Sequence, residues 1–176
     1  EKTDPNMQNQ CGWTALHLAT CKGNKEIVEY LLRHACVDPN AQNKEGNTPL
    51  IMAVHQGRKE LVELLLKHSA IDPNTDLVLL WAVNQGDKEV VELLLQHKNV
   101  DPNKQNKEGW TPLHESVFHG DKEIVELLLK HKNINPKIQD NTGQDVSFIA
   151  HYSYQANENM WNLLKEHNVD NEYSET

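Results

Sequence analysis

The chain has 176 residues, which is enough for one domain of ordinary size with a substantial core. A formal net charge of −9 and a pI near 5.5 argue against nucleic-acid binding, which needs a basic surface, and against attraction to anionic membranes. A hydrophobic content of 38% favours a thin, elongated core. An odd and small number of cysteines, three, favours a reducing, cytoplasmic compartment. The sequence has no apolar run near the roughly 20 residues of a membrane span.

The sequence repeats itself along its whole length. The tripeptide Asp-Pro-Asn begins at Asp4, Asp38, Asp72 and Asp101, and Asn135 opens a variant copy, so that the steps are 34, 34, 29 and 34 residues. A period in this range is typical of a solenoid, in which each unit buries its faces against its neighbours. We expect units at about 4–37, 38–71, 72–100, 101–134 and 135–170, with a loose tail at 171–176.

The first unit carries ordinary apolar repeat positions, including Leu16, Ile27 and Leu31. A terminal unit of a solenoid is expected to carry polar residues on its outer face. We therefore expect further repeats before Glu1, so that the chain is a fragment of a longer protein.

The third unit is five residues shorter than the others between its opening Asp72 and the glycine between its helices, Gly86. Leu79 and Ala82 stay in phase with the apolar positions of the preceding unit, which predicts that both helices survive. The shortened segment is the turn before the first helix, so a notch is expected there with Trp81 beside it. A tolerated deletion, with Trp81 in the core, is the alternative to a functional groove.

The fourth unit gives the pattern of one repeat most clearly. Thr111 and Pro112 are the cap and the first position of a helix that ends at Gly120. Ile124 and Leu128 in the next helix have the spacing of one buried face.

The fifth unit departs from the pattern where the second helix is expected, because polar residues are interspersed at 159–164. This is the composition expected of a C-terminal cap.

The hexapeptide at 109–114, Gly-Trp-Thr-Pro-Leu-His, resembles the helix-opening signature of ankyrin repeats, and the segments 46–50 and 12–17 match nearly as well. The segments 26–32 and 123–129 resemble the second ankyrin helix. The resemblance covers about residues 4–170. It implies an all-α repeat solenoid, an ankyrin-like stack of about five helix-turn-helix units with hairpin fingers at one edge. Fingers and first helices would form a concave inner surface.

The histidines and cysteines are the candidates for a metal or catalytic site. Cys11, His17 and Cys21 offer three zinc-ligand types, but a fourth ligand is lacking nearby, and the resemblance gives His17 a structural hydrogen bond. Five histidines recur in phase after the leucine runs and are interpreted as helix-end residues: His34, His68, His97, His131 and His167. Since no phosphate loop or nucleophile motif is found, we expect no enzyme, cofactor or metal.

The resemblance implies that variable finger and first-helix positions face a partner. These positions hold Trp13, Cys21, Lys22, Asn47, His55, Gln56, Asn84, Gln85, Trp110, Phe118, His119, Gln144 and Tyr152, with Trp81 near the notch. Aromatic residues dominate binding energy at many interfaces, so Phe118 and Trp110 are predicted to form the binding centre, next to the notch. Packing of finger against finger is an equal alternative for Trp13 and Trp110.

These features predict a monomeric, non-enzymatic module that binds a protein or peptide partner through its concave surface. The acidic balance favours a partner with basic patches. One alternative is the substrate-docking or targeting arm of a larger enzyme or of a bacterial effector, which would act in host cytoplasm. Another is an architectural spacer without affinity for any partner.

Overall fold

The computed structural model describes residues 4–152, 158–167 and 169. These residues form ten α-helices and no strand, and the helices follow one another as five pairs joined by short turns. The pairs are α1 (Ala15–Lys22) and α2 (Lys25–Leu32), α3 (Pro49–His55) and α4 (Lys59–Leu66), α5 (Val78–Asn84) and α6 (Lys88–Gln96), α7 (Pro112–His119) and α8 (Lys122–Leu129), and α9 (Val146–Tyr152) and α10 (Glu158–Glu166).

The ends of the helices follow from short sequence signals. At α7, the hydroxyl of Thr111 accepts the backbone N–H of His114, and Pro112 occupies the first helical position, as the sequence predicted. The helix ends where Gly120 adopts a left-handed conformation with φ of 74°, which costs a residue without a Cβ little. Asp121 stands at the cap position of α8, although its side chain makes no capping hydrogen bond there.

The helices stack in two rows. The first helices α1, α3, α5, α7 and α9 pack side by side in one row, and α2, α4, α6 and α8 pack in the other. Side chains such as Leu50, Val54 and Leu65 are fully buried between the rows, and the core runs continuously along the stack. Each pair therefore depends on its neighbours for the burial of its apolar surface, as the repeat pattern predicted.

A ladder of asparagines joins successive units at the Asp-Pro-Asn turns. Asn40 donates from Nδ2 to the carbonyl of Ala70 (2.6 Å) and accepts the N–H of Asp72 on Oδ1 (2.9 Å). Asn6, Asn74 and Asn103 make the same two bonds to the units that follow them. The equivalent position in the fifth unit holds a lysine, which cannot accept a hydrogen bond, so the ladder ends there.

The fingers, residues 4–13, 38–47, 101–110 and 135–144, pair with each other at both ends of the stack. The N–H of Lys44 donates to the carbonyl of Cys11, and the N–H of Asn141 donates to that of Glu108, each at 3.1 Å. The third unit has a single 3₁₀ turn, Thr75–Leu77, instead of a finger and keeps both helices, which confirms the predicted shortening.

The two ends of the stack differ in polarity. In α10, Met160, Leu163 and Leu164 are buried while the intervening polar side chains point outward, which supports the predicted capping role. At the other end, Leu18, Ile27 and Tyr30 are 41%, 48% and 68% exposed. Residues 153–157, between the two helices of the fifth unit, and the predicted tail at 171–176 lie outside the described residues.

Candidate functional site: a concave strip with an aromatic groove

The predicted partner-facing residues lie along the fingers and first helices, a surface that we call the strip. Several of them contact a neighbouring unit. Cys21 Sγ accepts a hydrogen bond from Gln56 Nε2 at 3.5 Å. The rings of His55 and Trp81 lie with their centroids 4.4 Å apart. These contacts join the first three units along the strip.

The strip continues into the fourth unit through a polar bridge. Asn84 Nδ2 donates to Glu115 Oε1 at 2.6 Å, and the same carboxylate oxygen lies 3.3 Å from His119 Nε2. Two further predicted residues, Lys22 and Gln85, are exposed. The strip therefore presents polar side chains over its central part.

Two predicted residues have at least a partly structural role. The carbonyl of Asn47 accepts a hydrogen bond from His17 Nε2 at 2.9 Å, and Asn47 Nδ2 donates to the carboxylate of Glu45 at 3.2 Å. Trp13 is half-buried against the core, with its ring 6.4 Å from that of His17.

Aromatic side chains gather in an open depression between the fourth and fifth units. We call this depression, with a volume of about 400 Å³, the aromatic groove; it is lined by Trp110, Phe118, Gln144, Phe148, Ile149 and Tyr152. The lining side chains come from α7, α9 and the two fingers that precede them. The fold thus brings three of the predicted aromatic residues, Trp110, Phe118 and Tyr152, to one place.

The rings of the groove are arranged in two touching pairs. Trp110 and Phe118 meet edge to face with centroids 5.2 Å apart, and Phe148 and Tyr152 lie 4.5 Å apart. Phe118 remains 44% exposed and Tyr152 65% exposed, although both belong to residue types that bury large apolar areas. The groove therefore presents aromatic surface to solvent rather than to the core.

A carboxylate fixes the orientation of the tryptophan in the groove. Trp110 Nε1 donates to Asp140 Oδ2 at 3.2 Å. Burial tends to raise the pKa of Asp140, but hydrogen bonds from Thr142, Gln144 and Trp110 outweigh it and hold the pKa below its usual value. The side chain is thus an anion at neutral pH and holds the indole through a charge-assisted hydrogen bond.

Sequence reasoning missed Phe148 and Asp140 as residues of the groove. Phe148 stands 34 residues after His114, which is buried in the fourth unit, yet Phe148 is half-exposed and lines the depression. The signal that would have found it is the spacing from Phe148 to Tyr152, because residues four apart share one face of a helix. Asp140 replaces the asparagine of earlier fingers, and Trp110 lies 30 residues away in sequence.

The notch is a depression separate from the aromatic groove, so Trp110 and Phe118, predicted to lie next to the notch, do not line it. The notch is lined by Pro73, Asn74, Leu77, Val78, Leu79, Leu80, Asp101, Lys104 and Pro112. It shares no lining residue with the aromatic groove, which is built against the fifth unit instead. Trp81 is 40% exposed and lies on the strip near the second unit.

Both histidines of the signature have structural roles. His17 accepts the N–H of Thr14 on Nδ1 and donates from Nε2 to Asn47 of the next finger, so both ring nitrogens have partners. Burial lowers the pKa of His17 more than the bond to Asn47 raises it, and burial likewise lowers that of His114. Within the described ranges, no three His, Cys, Asp or Glu side chains are grouped to hold a metal ion.

In the described part of the chain, no helix combines the length and the apolar character that crossing a membrane requires.

Comparisons with known proteins agree with this architecture. No curated protein matches the sequence. Among solved structures, the ankyrin repeat protein EF0377 superposes with a TM-score of 0.80 at 27% identity and covers 94% of this chain and 85% of its own. The ankyrin repeat domain ABAYE2397 from Acinetobacter baumannii AYE gives 0.83 at 27% identity, with 96% and 88% covered.

The ankyrin repeat domain of Bcl-3, a member of the IkappaB family, shares the fold, with a TM-score of 0.82 at 24% identity over 93% of this chain and 72% of its own. The family described as "Ankyrin repeats (3 copies)" matches residues 1–76 and 79–174, and the gap between the two matches falls at the shortened third finger. The chain therefore belongs to the ankyrin repeat family.

Proposed function

We propose that this protein is a non-enzymatic recognition module that holds a segment of a partner protein on its concave strip, with the aromatic groove as the centre of binding. Ankyrin repeats are generally protein–protein interaction modules. The observation that carries the proposal is the exposure of Phe118 and Tyr152 beside the half-buried rings of Trp110 and Phe148.

Exposed aromatic surface in a concave depression favours partner binding for a physical reason. Each ring that leaves water on binding contributes in proportion to its buried apolar area, and ring pairs add a geometric preference. Concave depressions also allow a partner side chain to be surrounded, which is where energetically dominant interface residues lie. The groove has this shape and this composition, whereas the rest of the strip is mostly polar.

The charge of the chain bears on the class of partner. With a net charge of −9, the protein attracts segments that carry Lys or Arg, and this attraction raises association rates more than final affinity. The polar residues of the strip, such as Asn84, Gln56 and His55, provide hydrogen-bonding groups in the second and third units, on one side of the groove. We therefore expect partner segments that combine an anchoring side chain with flanking basic residues.

A displayed library of random peptides selected on the intact protein tests this proposal. The affinity of each selected peptide is then measured for the native protein and for Phe118→Ala, with Tyr30→Ala as the control. Tyr30 is a larger and more exposed aromatic residue on α2, away from the first helices. We expect Phe118→Ala to weaken binding by about 30-fold, the effect of losing a dominant interface residue, and Tyr30→Ala to leave it unchanged.

Circular dichroism during thermal unfolding shows whether each variant keeps its fold. Peptides that lose affinity for Tyr30→Ala but not for Phe118→Ala would place binding on another surface and refute the proposal. A library that yields no binder to the folded protein would favour the architectural spacer instead.

A further inference from the structure

We propose that the aromatic groove accepts a cationic side chain of the quaternary ammonium class, such as a methylated lysine, in preference to a neutral aliphatic one. This inference rests on the proposed function, because it names the chemistry of the partner group that enters the same groove. It follows from the ring composition of the groove and from the charges around it.

Four of the six lining residues are aromatic, and Ile149 is the single aliphatic residue among them. The face of an aromatic ring is electron-rich, and a cation held within about 6 Å of the ring centroid is attracted to it. Tryptophan gives the strongest attraction of this kind, and Trp110 is one of the four. A groove for an aliphatic side chain has no need of four aromatic rings, since leucine and valine walls bury a methyl group equally well.

The hydrogen bond from Trp110 Nε1 to the Asp140 carboxylate strengthens this preference. An anion that accepts the indole N–H pushes electron density into the ring, so its face becomes a better partner for a cation. Asp140 itself already accepts hydrogen bonds from the N–H groups of Thr142 and Gln144. The Asp140 carboxylate therefore acts on the ligand through the electron density of the Trp110 ring and through the electrostatic field of its own charge, not as a direct ion-pair partner.

The charged groups around the groove leave it open to a cation. None of the six lining residues carries a charge, and one of them, Trp110, donates to the carboxylate of Asp140. A second carboxylate, that of Glu115, lies three residues before Phe118 on α7 and contacts Asn84 and His119. Two imidazoles, those of His119 and His151, touch the rings of Phe118 and Tyr152 from the side.

Methylation decides which cation enters. An unmodified lysine ammonium is compact and strongly hydrated, and it would lose three hydrogen bonds to water in a groove whose walls are rings. A trimethylated ammonium has no N–H to satisfy and keeps its charge, so it loses little on leaving water. The same reasoning applies to choline, which serves as a small probe.

The experiment compares choline with its neutral isostere, 3,3-dimethylbutan-1-ol, which has the same shape without the charge. Titrations are followed by the indole N–H signals of the tryptophans in a two-dimensional NMR spectrum of the full chain. We expect choline to shift the Trp110 signal in a saturable manner, while Trp13 and Trp81 stay unchanged as internal controls. The neutral isostere is expected to bind about 3- to 30-fold more weakly, the range of one cation–π contribution.

Two variants locate the effect. Phe118→Leu keeps an apolar side chain of similar volume but removes a ring face, so choline affinity should fall by at least about 3-fold while that of the isostere stays the same. Trp13→Leu, at the matching finger position of the first unit, should change neither. Equal binding of choline and the isostere, or no response of Trp110 to choline, would refute the cation preference. The proposed recognition function would then stand or fall on peptide binding at Phe118 alone.

Discussion

The first and fourth units have nearly the same local sequence but different neighbours. Thr14 and His17 form the same reciprocal cap in α1 as Thr111 and His114 form in α7, with the hydroxyl and Nδ1 2.9 Å and 2.7 Å apart. In both units the histidine also bonds to a carbonyl of the next finger, so the cap forms within one unit and is then tied to the unit that follows it.

The two units differ in what covers their second helices. Ile27 in α2 is 48% exposed, whereas Ile124, at the same position in α8, is 2% exposed because α6 packs against it. Helix ends are thus set by the sequence of each unit, while burial is set by the unit before it. We retain as a proposal that the Leu18, Ile27 and Tyr30 face of the first unit packs against a further repeat.

The largest expected effect is the difference in stability loss between alanine substitutions at Ile124 and at Ile27. Ile124→Ala should lower the free energy of unfolding by about 2–5 kcal/mol, because it removes buried methyl groups and leaves a cavity. Ile27→Ala should lower it by less than about 0.5 kcal/mol, as expected for an exposed position. Urea unfolding of both variants checks the difference, and equal losses would mean that the first unit is covered in solution.

The caps should behave alike in both units. Thr14→Ala and Thr111→Ala each remove one capping hydroxyl, and each should cost about 0.5–2 kcal/mol of unfolding free energy. The same denaturant series measures both, with Thr142→Ala in the fifth finger as a control for loss of a hydroxyl outside a helix cap. A cost at Thr14 far below that at Thr111 would show that the first cap also depends on its neighbours.

Protonation of the two buried histidines gives a pH dependence with a definite sign. Burial holds their folded pKa values below the ordinary histidine value of about 6.5, so the unfolded chain binds more protons than the folded one as the pH falls. The stability that neutral His17 and His114 contribute is therefore complete above 6.5 and is lost as the pH falls through their folded pKa values.

Unfolding at about pH 7.5 and about pH 5.5 measures this loss through the change in unfolding free energy between the two conditions. His17→Gln and His114→Gln should each show a smaller change than the native protein. His34→Gln, at an exposed residue, should show the native change. If His17→Gln and His114→Gln both show the same change in unfolding free energy between the two pH values as the native protein, other groups cause the acid sensitivity.

The smallest expected effect concerns the surface ion pairs. Glu29–Arg33 in the first unit and Glu126–Lys130 in the fourth have N···O distances of 2.6 Å and 3.7 Å, and both are exposed. Glu29→Gln and Glu126→Gln should each cost about 0.2–0.5 kcal/mol, and the cost should vanish in about 1 M salt. A larger cost for Glu29→Gln that persists in salt would contradict the view that solvent exposure, rather than the N···O distance, limits the contribution of these ion pairs to stability.

Much of the fold could be predicted because its signals are local. Thr111, Pro112 and Gly120 mark one helix with three residues, and the five-residue deletion follows from counting to Gly86. The aromatic groove could not be predicted in full, because its walls come from two units. Whether Phe148 points to the core or to the groove depends on how α9 packs on α7. The position of Phe148 within the sequence repeat does not determine that packing.

The missing third finger has a mechanical consequence. Fingers one and two are clamped to each other by backbone hydrogen bonds, as are fingers four and five, while the middle of the row has a 3₁₀ turn. The third unit is held to its neighbours by helix packing, by Asn40 and Asn74 of the ladder, and by side-chain contacts such as His55–Trp81, Asn84–Glu115 and Lys88–Glu123, but by no finger-to-finger backbone hydrogen bond among the described contacts. Because this unit lacks the finger-to-finger backbone hydrogen bonds, we expect resistance to twisting about the long axis to be lowest there. We expect the surface across the middle of the stack to change its curvature by torsion when a partner binds there. The aromatic groove lies between units whose fingers are hydrogen-bonded, so its shape should change less.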